Sequence, residues 1–298
     1  MTALTSPNIK PMLPTTAPRD CEFLEITSVT NVITRRQLQD HCLDGVKDRQ
    51  VRRSCQRLSS RGLLRRMSPV FADPTATAAC YAYSITENGL HVLAEQIGDP
   101  SVLLRPSSPP PAPLMRHELV TTQIQLTLMK AVARSTSVEL VRQLRRGHIV
   151  NPEEPDTAKR TSLRFDLSNG KPLFCEPDYA FVLQSGAARV GYCLETETGA
   201  NGAKRKIARS HQGYAAFADS EFNRYAVLFP DVTKGPFLVL AVAPTAGYRD
   251  QMRQAIADKP ARALWRFAAY GDLNAESFLF QPVWFLHDQS EPMPLLNP

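Results

Sequence analysis

The stretches CEPDYAFVL at residues 175–183 and RVGYCLETE at residues 189–197 decide how this chain is read. Both are apolar and β-prone, and Gln184-Ser185-Gly186 supplies a turn between them, so they read as two paired strands. Strand side chains alternate faces, which sends Glu195 and Glu197 one way and Thr196 the other. Pairing through the turn sets Asp178 beside those glutamates at one end of a sheet. Carboxylates gathered in this way, from Glu176-Pro177-Asp178 and Glu195-Thr196-Glu197, repel one another unless a cation neutralises them. Hard oxygen ligands favour Mg²⁺ or Mn²⁺. The competing reading is a pair of acidic strand ends facing solvent. The metal reading gains its weight from the rest of the chain.

Working outward, 298 residues are enough for two domains, each with its own core. A hydrophobic content of 43% and a charged content of 21% are ordinary for a soluble globular protein. The formal charge of +6 favours polyanionic partners. The cysteines (Cys21, Cys42, Cys55, Cys80, Cys175 and Cys193) form no C-x-x-C pair, and most lie in apolar surroundings. Reduced, buried thiols of a cytoplasmic protein explain them better than disulfides or zinc. No apolar run reaches the roughly 18 residues of a membrane span, and Met1 to Pro18 lacks a hydrophobic signal core. The expectation is a cytoplasmic protein without membrane insertion.

Composition shifts divide the chain into a flexible tail (1–19), a first domain (20–98), a Pro-rich linker (99–113) and a second domain (114–298). The first domain reads as a winged helix. Phe23, Leu24, Ile26 and Val29 mark one helix. Thr34 and Gln37 have capping-box spacing for a second, and Asp48 can cap a third that ends at Gly62. Leu63–Val70 and Cys80–Ile85 then form the wing, with Ala72–Ala79 at its tip, and Thr86 with Gly89 opens a closing helix. Between Asp20 and Arg66 lie ten Lys or Arg against six Asp or Glu. Arg49, Arg52, Arg53, Arg57 and Arg61 crowd the third helix, the element that enters the major groove in a helix-turn-helix. The alternative is an exposed helix of a protein-interaction module; double-stranded DNA is the preferred partner.

The second domain alternates helices and strands. Met115–Arg134, Ala203–Ala218, Tyr248–Ala257 and Ala261–Tyr270 read as helices. Val138–Leu144, the two acidic strands, Tyr225–Phe229, Phe237–Ala243 and Phe278–Leu286 read as strands. A mixed sheet with helices on both faces is the economical packing. The fold class is therefore α/β (α+β overall), with two unlike domains.

The order of these motifs resembles a known family. A glutamate on the preceding helix, Pro177-Asp178 on one strand and Glu195-x-Glu197 on the next are similar to the PD-(D/E)xK nuclease fold, a restriction-endonuclease-like mixed-sheet domain. With a winged helix in front, His117-Glu118-Leu119, Leu194 to Gly199, and a basic helix bearing Tyr214, the pattern resembles the replication-relaxation family of plasmid proteins, which includes MobC-type mobilisation relaxases. The resemblance covers roughly residues 20–290, and the order of the motifs is more specific than any one of them. It implies that Asp178 and Glu195 ligate Mg²⁺ or Mn²⁺ and that Glu118 completes the shell, directly or through water. Glu197 stands where the nuclease pattern has a lysine, so it becomes a third ligand or general base. Lys204 or Lys206 would supply the missing ammonium from the next element. Tyr214 is the candidate for a covalent link.

The function implied is origin-binding, metal-dependent DNA nicking in plasmid mobilisation (conjugation) or replication. Its partners would be the origin of transfer or replication, the nicked single strand, and relaxosome or replication proteins. A non-catalytic replication or transcription regulator with a degenerate nuclease fold stays open, as does a nuclease of host defence.

Overall fold

Thr34 and Gln37 make the reciprocal cap that their spacing predicts. The Thr34 N–H donates to Gln37 Oε1 at 3.0 Å, and the Gln37 N–H donates to Thr34 Oγ1 at 3.2 Å. The structure, a computed structural model, describes residues 17–42, 46–70, 80–150, 152–155, 160, 163–166, 172–200, 202–219, 229–232 and 237–297. Around this cap lie α1 (Pro18–Thr30), β1 (Ile33–Thr34), α2 (Arg35–Cys42) and α3 (Asp48–Ser60). The hairpin of β2 (Leu64–Val70) and β3 (Cys80–Ile85) and the helix α4 (Glu87–Ile97) complete the module. The three strands are antiparallel in the order β1-β3-β2. This is a winged helix-turn-helix. Its core joins Phe23, Leu24, Leu38, Val51, Leu58 and Ile85, each contributing roughly 2 kcal/mol by burial.

Two local details position the wing. Gly62 ends α3 at φ +69°, a left-handed conformation that lets the chain reverse into β2. Gly89, whose N–H is capped by Thr86 Oγ1 at 3.0 Å, lies so close to β2 that a Cβ would stand 2.3 Å from Leu63 O.

Some expectations change. Asp48 is the first residue of α3, not its cap; Lys47 holds the cap position and Asp48 pairs with Arg35 at 3.3 Å. The first helix begins at Pro18, inside the expected tail, and residues 1–16 and the wing tip lie outside the described residues. Residues 99–113 are no free spacer. Asp99 caps a 3₁₀ turn over Pro100–Leu104, Val102 is buried in the winged-helix core, Arg105 donates to Ser28 Oγ, and Leu104 O accepts from Ile149 N.

The second module runs α5 (Met115–Ala133), β4 (Val138–Arg145), β5 (Leu163–Asp166), β6 (Pro172–Cys175), β7 (Tyr179–Ser185), β8 (Ala188–Thr196) and α6 (Ala203–Asp219). Then come β9 (Leu238–Ala243), α7 (Ala246–Ile256), β10 (Trp265–Ala269) and the short α8 (Ser277–Phe280). Its five-stranded sheet has the order β10-β9-β8-β7-β4. The strands β4, β7 and β8 form an antiparallel meander, and β8, β9 and β10 run parallel. A helix, three meandering strands, a crossover helix and a parallel strand make a restriction-endonuclease-like mixed-sheet fold. Ala180, Val182, Cys193 and Ala241 pack beneath α6 and α7 with Tyr214, Phe217 and Met252. Phe181, Tyr192, Leu194 and Val242 pack on the other face with Ile124, Leu128 and Phe278.

Three strand or helix expectations are corrected. The stretch 175–183 is broken at Glu176-Pro177-Asp178 into β6 and β7, because Pro177 has no N–H for a ladder. The turn falls on Gly186-Ala187, between the paired Ser185 and Ala188. Ala261–Tyr270 is a strand after one 3₁₀ turn, and Phe278–Leu286 is α8 followed by an isolated bridge from Phe285 to Phe267. The expected strand Tyr225–Phe229 lies almost wholly outside the described residues.

Candidate functional site

The break before β7 sets Asp178 at the strand's entrance, where its N–H donates to Leu194 O at 3.0 Å. That register aims its carboxylate at the end of β8. Oδ2 accepts from the Thr196 N–H at 2.8 Å and lies 3.1 Å from His117 Nε2; Oδ1 accepts from Arg146 Nη2 at 2.8 Å. Glu195 faces α6. Its Oε1 accepts from the Tyr214 hydroxyl at 2.5 Å and its Oε2 from Lys206 Nζ at 2.8 Å. The same ammonium reaches Glu197 Oε1 at 2.8 Å, and the Tyr248 hydroxyl stands 3.4 Å from Glu197 Oε2. Asp178, Glu195 and Glu197 are all buried. Arg146, Glu176, Glu195, Lys206, Arg209 and Tyr214 line a cleft of about 440 Å³ that reaches this cluster at Glu195.

Burial and charge act against each other here. Burial would raise the Asp178 pKa, but His117, Lys206 and Arg146 hold it well below the usual carboxylate range. Burial raises that of Glu195, assisted by Asp178 and opposed by Lys206. For Lys206 burial favours the neutral amine, yet Glu195, Asp178 and Glu197 raise its pKa and keep the ammonium. Burial likewise opposes the His117 imidazolium, and Asp178 outweighs it, so that pKa is raised. Tyr214 is pushed well up by burial and by Glu195.

Of the residues singled out in the sequence, Asp178, Glu195, Glu197 and Lys206 come together. Lys204, two residues earlier on α6, faces solvent. Glu118 does not join the cluster: its Oε2 accepts from Arg145 Nη2 at 2.6 Å in a buried pair between α5 and the end of β4. Tyr214 is buried: its hydroxyl donates to Glu195, and its ring lies edge-on to Trp265 at 5.4 Å in the core. Arg146 and Tyr248 were missed; the only mark of Arg146 in the sequence is a basic doublet before Gly147 at a strand end.

Hard oxygen donors for Mg²⁺ or Mn²⁺ are present in Asp178 and Glu195. Mg²⁺ is commonly held by one or two carboxylates and completes its octahedron with water and phosphate oxygens, so the donor type and number of this pair match it, with all four oxygens engaged by protein groups. Among the described residues no three His, Cys, Asp or Glu side chains are placed to hold an ion.

On the winged helix, Val51, Ser54, Cys55 and Leu58 turn inward from α3, leaving Arg49, Arg52 and Arg53 exposed. Arg57 is engaged instead: Nε and Nη2 donate to the two oxygens of buried Asp20 at 2.7 and 2.6 Å. Arg61 lies just past the helix end, half-buried. The hairpin adds Arg65 and Arg66, the latter 4.9 Å over the Tyr81 ring, beside a groove of about 820 Å³ that Arg52 also lines.

A family model described as replication-relaxation matches residues 25–232. Among solved structures, the chain is similar over 36% of its length to 64% of a protein with a GntR superfamily winged-helix-turn-helix domain from Halomicrobium mukohataei, at 15% identity and a TM-score of 0.24. It is similar over 88% of its length to 44% of the restriction endonuclease FokI, at 11% identity and a TM-score of 0.28. The chain thus spans less than two thirds of either protein's length. No curated protein sequence matches it. No helix among the described residues is long and apolar enough to cross a membrane.

Proposed function

This chain belongs to the replication-relaxation family, and on that premise we propose that it is an origin-binding nickase of plasmid mobilisation or replication, of the MobC type. The winged helix binds the origin of transfer or replication as duplex DNA, and the second module cuts one strand. The observation that carries this reading is Lys206 Nζ, 2.8 Å from both Glu195 and Glu197 and beside the Asp178 cluster. Two carboxylates at the end of β8 and an ammonium meet beside a cleft of about 440 Å³ that Glu195 and Lys206 line.

Asp178 and Glu195 would hold Mg²⁺ or Mn²⁺, which supplies Lewis acidity at the phosphoryl oxygen and a lowered pKa for the attacking water. The chain's own groups do the rest. Lys206 stabilises negative charge on the phosphate; Glu197, in the position the nuclease pattern gives to lysine, steadies that ammonium. Tyr214 fixes Glu195 through its proton, so water is the nucleophile. Exposed Arg49, Arg52 and Arg53 serve phosphates and base edges.

The test is supercoiled plasmid carrying the cognate origin, incubated with wild type or Asp178→Asn in Mg²⁺, Mn²⁺ or EDTA. Open circles from the wild type alone, and only with metal, are expected; equal nicking by the variant overturns the reading. A second reading, a DNA-binding regulator with an idle nuclease fold, is favoured by the Glu118–Arg145 pair, which withdraws one acidic group from the cluster. It predicts tight origin binding with no cut under any metal.

A further inference from the structure

We propose that the cleft lined by Arg146, Glu195 and Lys206 is a phosphodiester slot in which Arg146 and Lys206 exchange a carboxylate for the backbone phosphate, so that DNA exposes Glu195 and the adjoining Asp178 to the divalent ion. This deepens the nickase reading and rests on it. Arg146 is the new residue, and the proposal assigns it direct contact with substrate.

Every oxygen of the two carboxylates is engaged by the protein itself. Asp178 Oδ1 meets Arg146, Oδ2 meets the Thr196 N–H and His117, Glu195 Oε1 meets Tyr214 and Oε2 meets Lys206. Tyr214 and the Thr196 N–H are neutral and fixed by the core and the sheet. His117, at Oδ2, lies outside the cleft lining, whereas Arg146 and Lys206 carry charge and line the open cleft, and the exchange requires these two to turn away. A divalent ion entering while both stay in place would sit against the charges of both. It would also compete with them for Asp178 Oδ1 and Glu195 Oε2.

Arg146 suits the exchange. It follows β4, its side chain is one third exposed, and it lies across the cleft from Lys206 and Arg209 on α6. Its Nε–H is buried and has no acceptor among the described residues, so the guanidinium fork is only partly used at Asp178. A planar fork of that kind matches two phosphate oxygens, and an ammonium opposite it serves as a point charge. A phosphate would thus take over both cations and return oxygen lone pairs to the ion. By linkage, the ion and the DNA must then tighten each other's binding by the same factor.

The experiment measures Mn²⁺ binding, by electron paramagnetic resonance, to the full chain as wild type, Arg146→Gln and Lys206→Met. Each protein is measured alone and with a short duplex whose backbone is a hydrolysis-resistant phosphorothioate. Thermal melts confirm that each variant is folded, and Gln is chosen to keep a hydrogen bond to Asp178. Removing one contacting cation should tighten Mn²⁺ binding about tenfold without DNA. The duplex should tighten binding to the wild type and do much less for either variant. Wild type and variants binding Mn²⁺ equally, with no effect of duplex, would overturn the exchange and leave the metal site standing. Weaker binding in Arg146→Gln would also overturn it, making Arg146 an organiser of Asp178. No Mn²⁺ binding by any form, with or without duplex, would overturn it through the nickase reading beneath it.

Discussion

Arg57→Ala separates packing from DNA contact on α3. Arg57 gives two hydrogen bonds, at 2.7 and 2.6 Å, to an Asp20 carboxylate that is 1% exposed. Truncation leaves that carboxylate buried in α1 without its cation. Charge-assisted hydrogen bonds are each worth about 1.5–3 kcal/mol, and breaking a fully buried pair costs about 3–5 kcal/mol. The guanidinium side is 48% exposed, so water can enter and the cost must be discounted. About 2–3 kcal/mol remains, or a fall in Tm of roughly 4–10 °C for a chain of this size. DNA affinity at a temperature where the variant is folded should hardly change, because Arg57 is already committed. Arg52→Ala and Arg53→Ala should do the reverse. Each should leave stability within about 0.5 kcal/mol and reduce the log–log salt slope of binding by about 0.9 if it meets a phosphate. Thermal melts and fluorescence anisotropy against salt read both quantities. An Arg57→Ala protein that melts with the wild type yet loses affinity and salt slope would refute this assignment.

Tyr214→Phe keeps the ring in the core and removes the 2.5 Å bond to Glu195. It should slow nicking about tenfold or more, and neither it nor the wild type should yield a denaturant-resistant protein–DNA adduct; an adduct lost only in the variant would make Tyr214 the nucleophile. Gly89→Ala places a Cβ 2.3 Å from Leu63 O and 2.7 Å from Ile85 Cγ1. Overpacking there should cost about 2–3 kcal/mol in urea unfolding, and an unchanged midpoint would contradict the close approach. His148 is buried, and burial with Arg105 and Arg145 lowers its pKa from 6.5 to about 3. The unfolded chain therefore binds the proton first as pH falls. Stability should drop below about pH 6.5 by up to roughly 1.4 kcal/mol per pH unit, until the folded pKa is reached. His148→Leu should shed that share of the acid sensitivity, and equal losses between pH 7.5 and 5 in both proteins would refute it.

What could be read from the sequence follows the range of the interactions. The Thr34–Gln37 cap spans three residues and the Thr86–Gly89 cap another three, so their geometry is written in spacing alone. The alternation of Glu195 and Glu197 with Thr196 is a period-two fact, and one tight turn brings Asp178 alongside. The strand β10 escaped because it is parallel and buried on both faces. Such a strand lacks period-two alternation, and WRFAA, with Arg266 inside it, is as good a helix as a strand by composition. The fate of the arginines depends on distant partners. Arg57 is withdrawn by Asp20, 37 residues away, and Glu118 by Arg145, 27 residues away. Lys206 could be placed one element after the acidic strand, but which carboxylates it bridges is decided by how α6 crosses the sheet.

Helix α5 explains why the two modules are not beads on a string. Thr122 Oγ1 lies 2.8 Å from Val32 O and 3.1 Å from Thr30 O, which share its one proton, and Gln125 Nε2 donates to Val29 O at 3.0 Å. Val29 and Thr30 are the last residues of α1, where a helix end leaves acceptors without intrahelical donors, and Val32 lies in the link to β1. In return, Gln37 Nε2 of the helix-turn-helix donates to Leu119 O at 2.9 Å, and Leu126 enters the winged-helix core. One turn from those contacts, the same helix presents His117 to Asp178 and Glu118 to Arg145. A residue of α5 cannot move with one module alone without leaving buried polar groups of the other unpaired, at about 1–3 kcal/mol each. On the nickase reading, the offset between the recognised base pairs and the cut phosphate is therefore set by a packed helix. A tether would leave that offset loose.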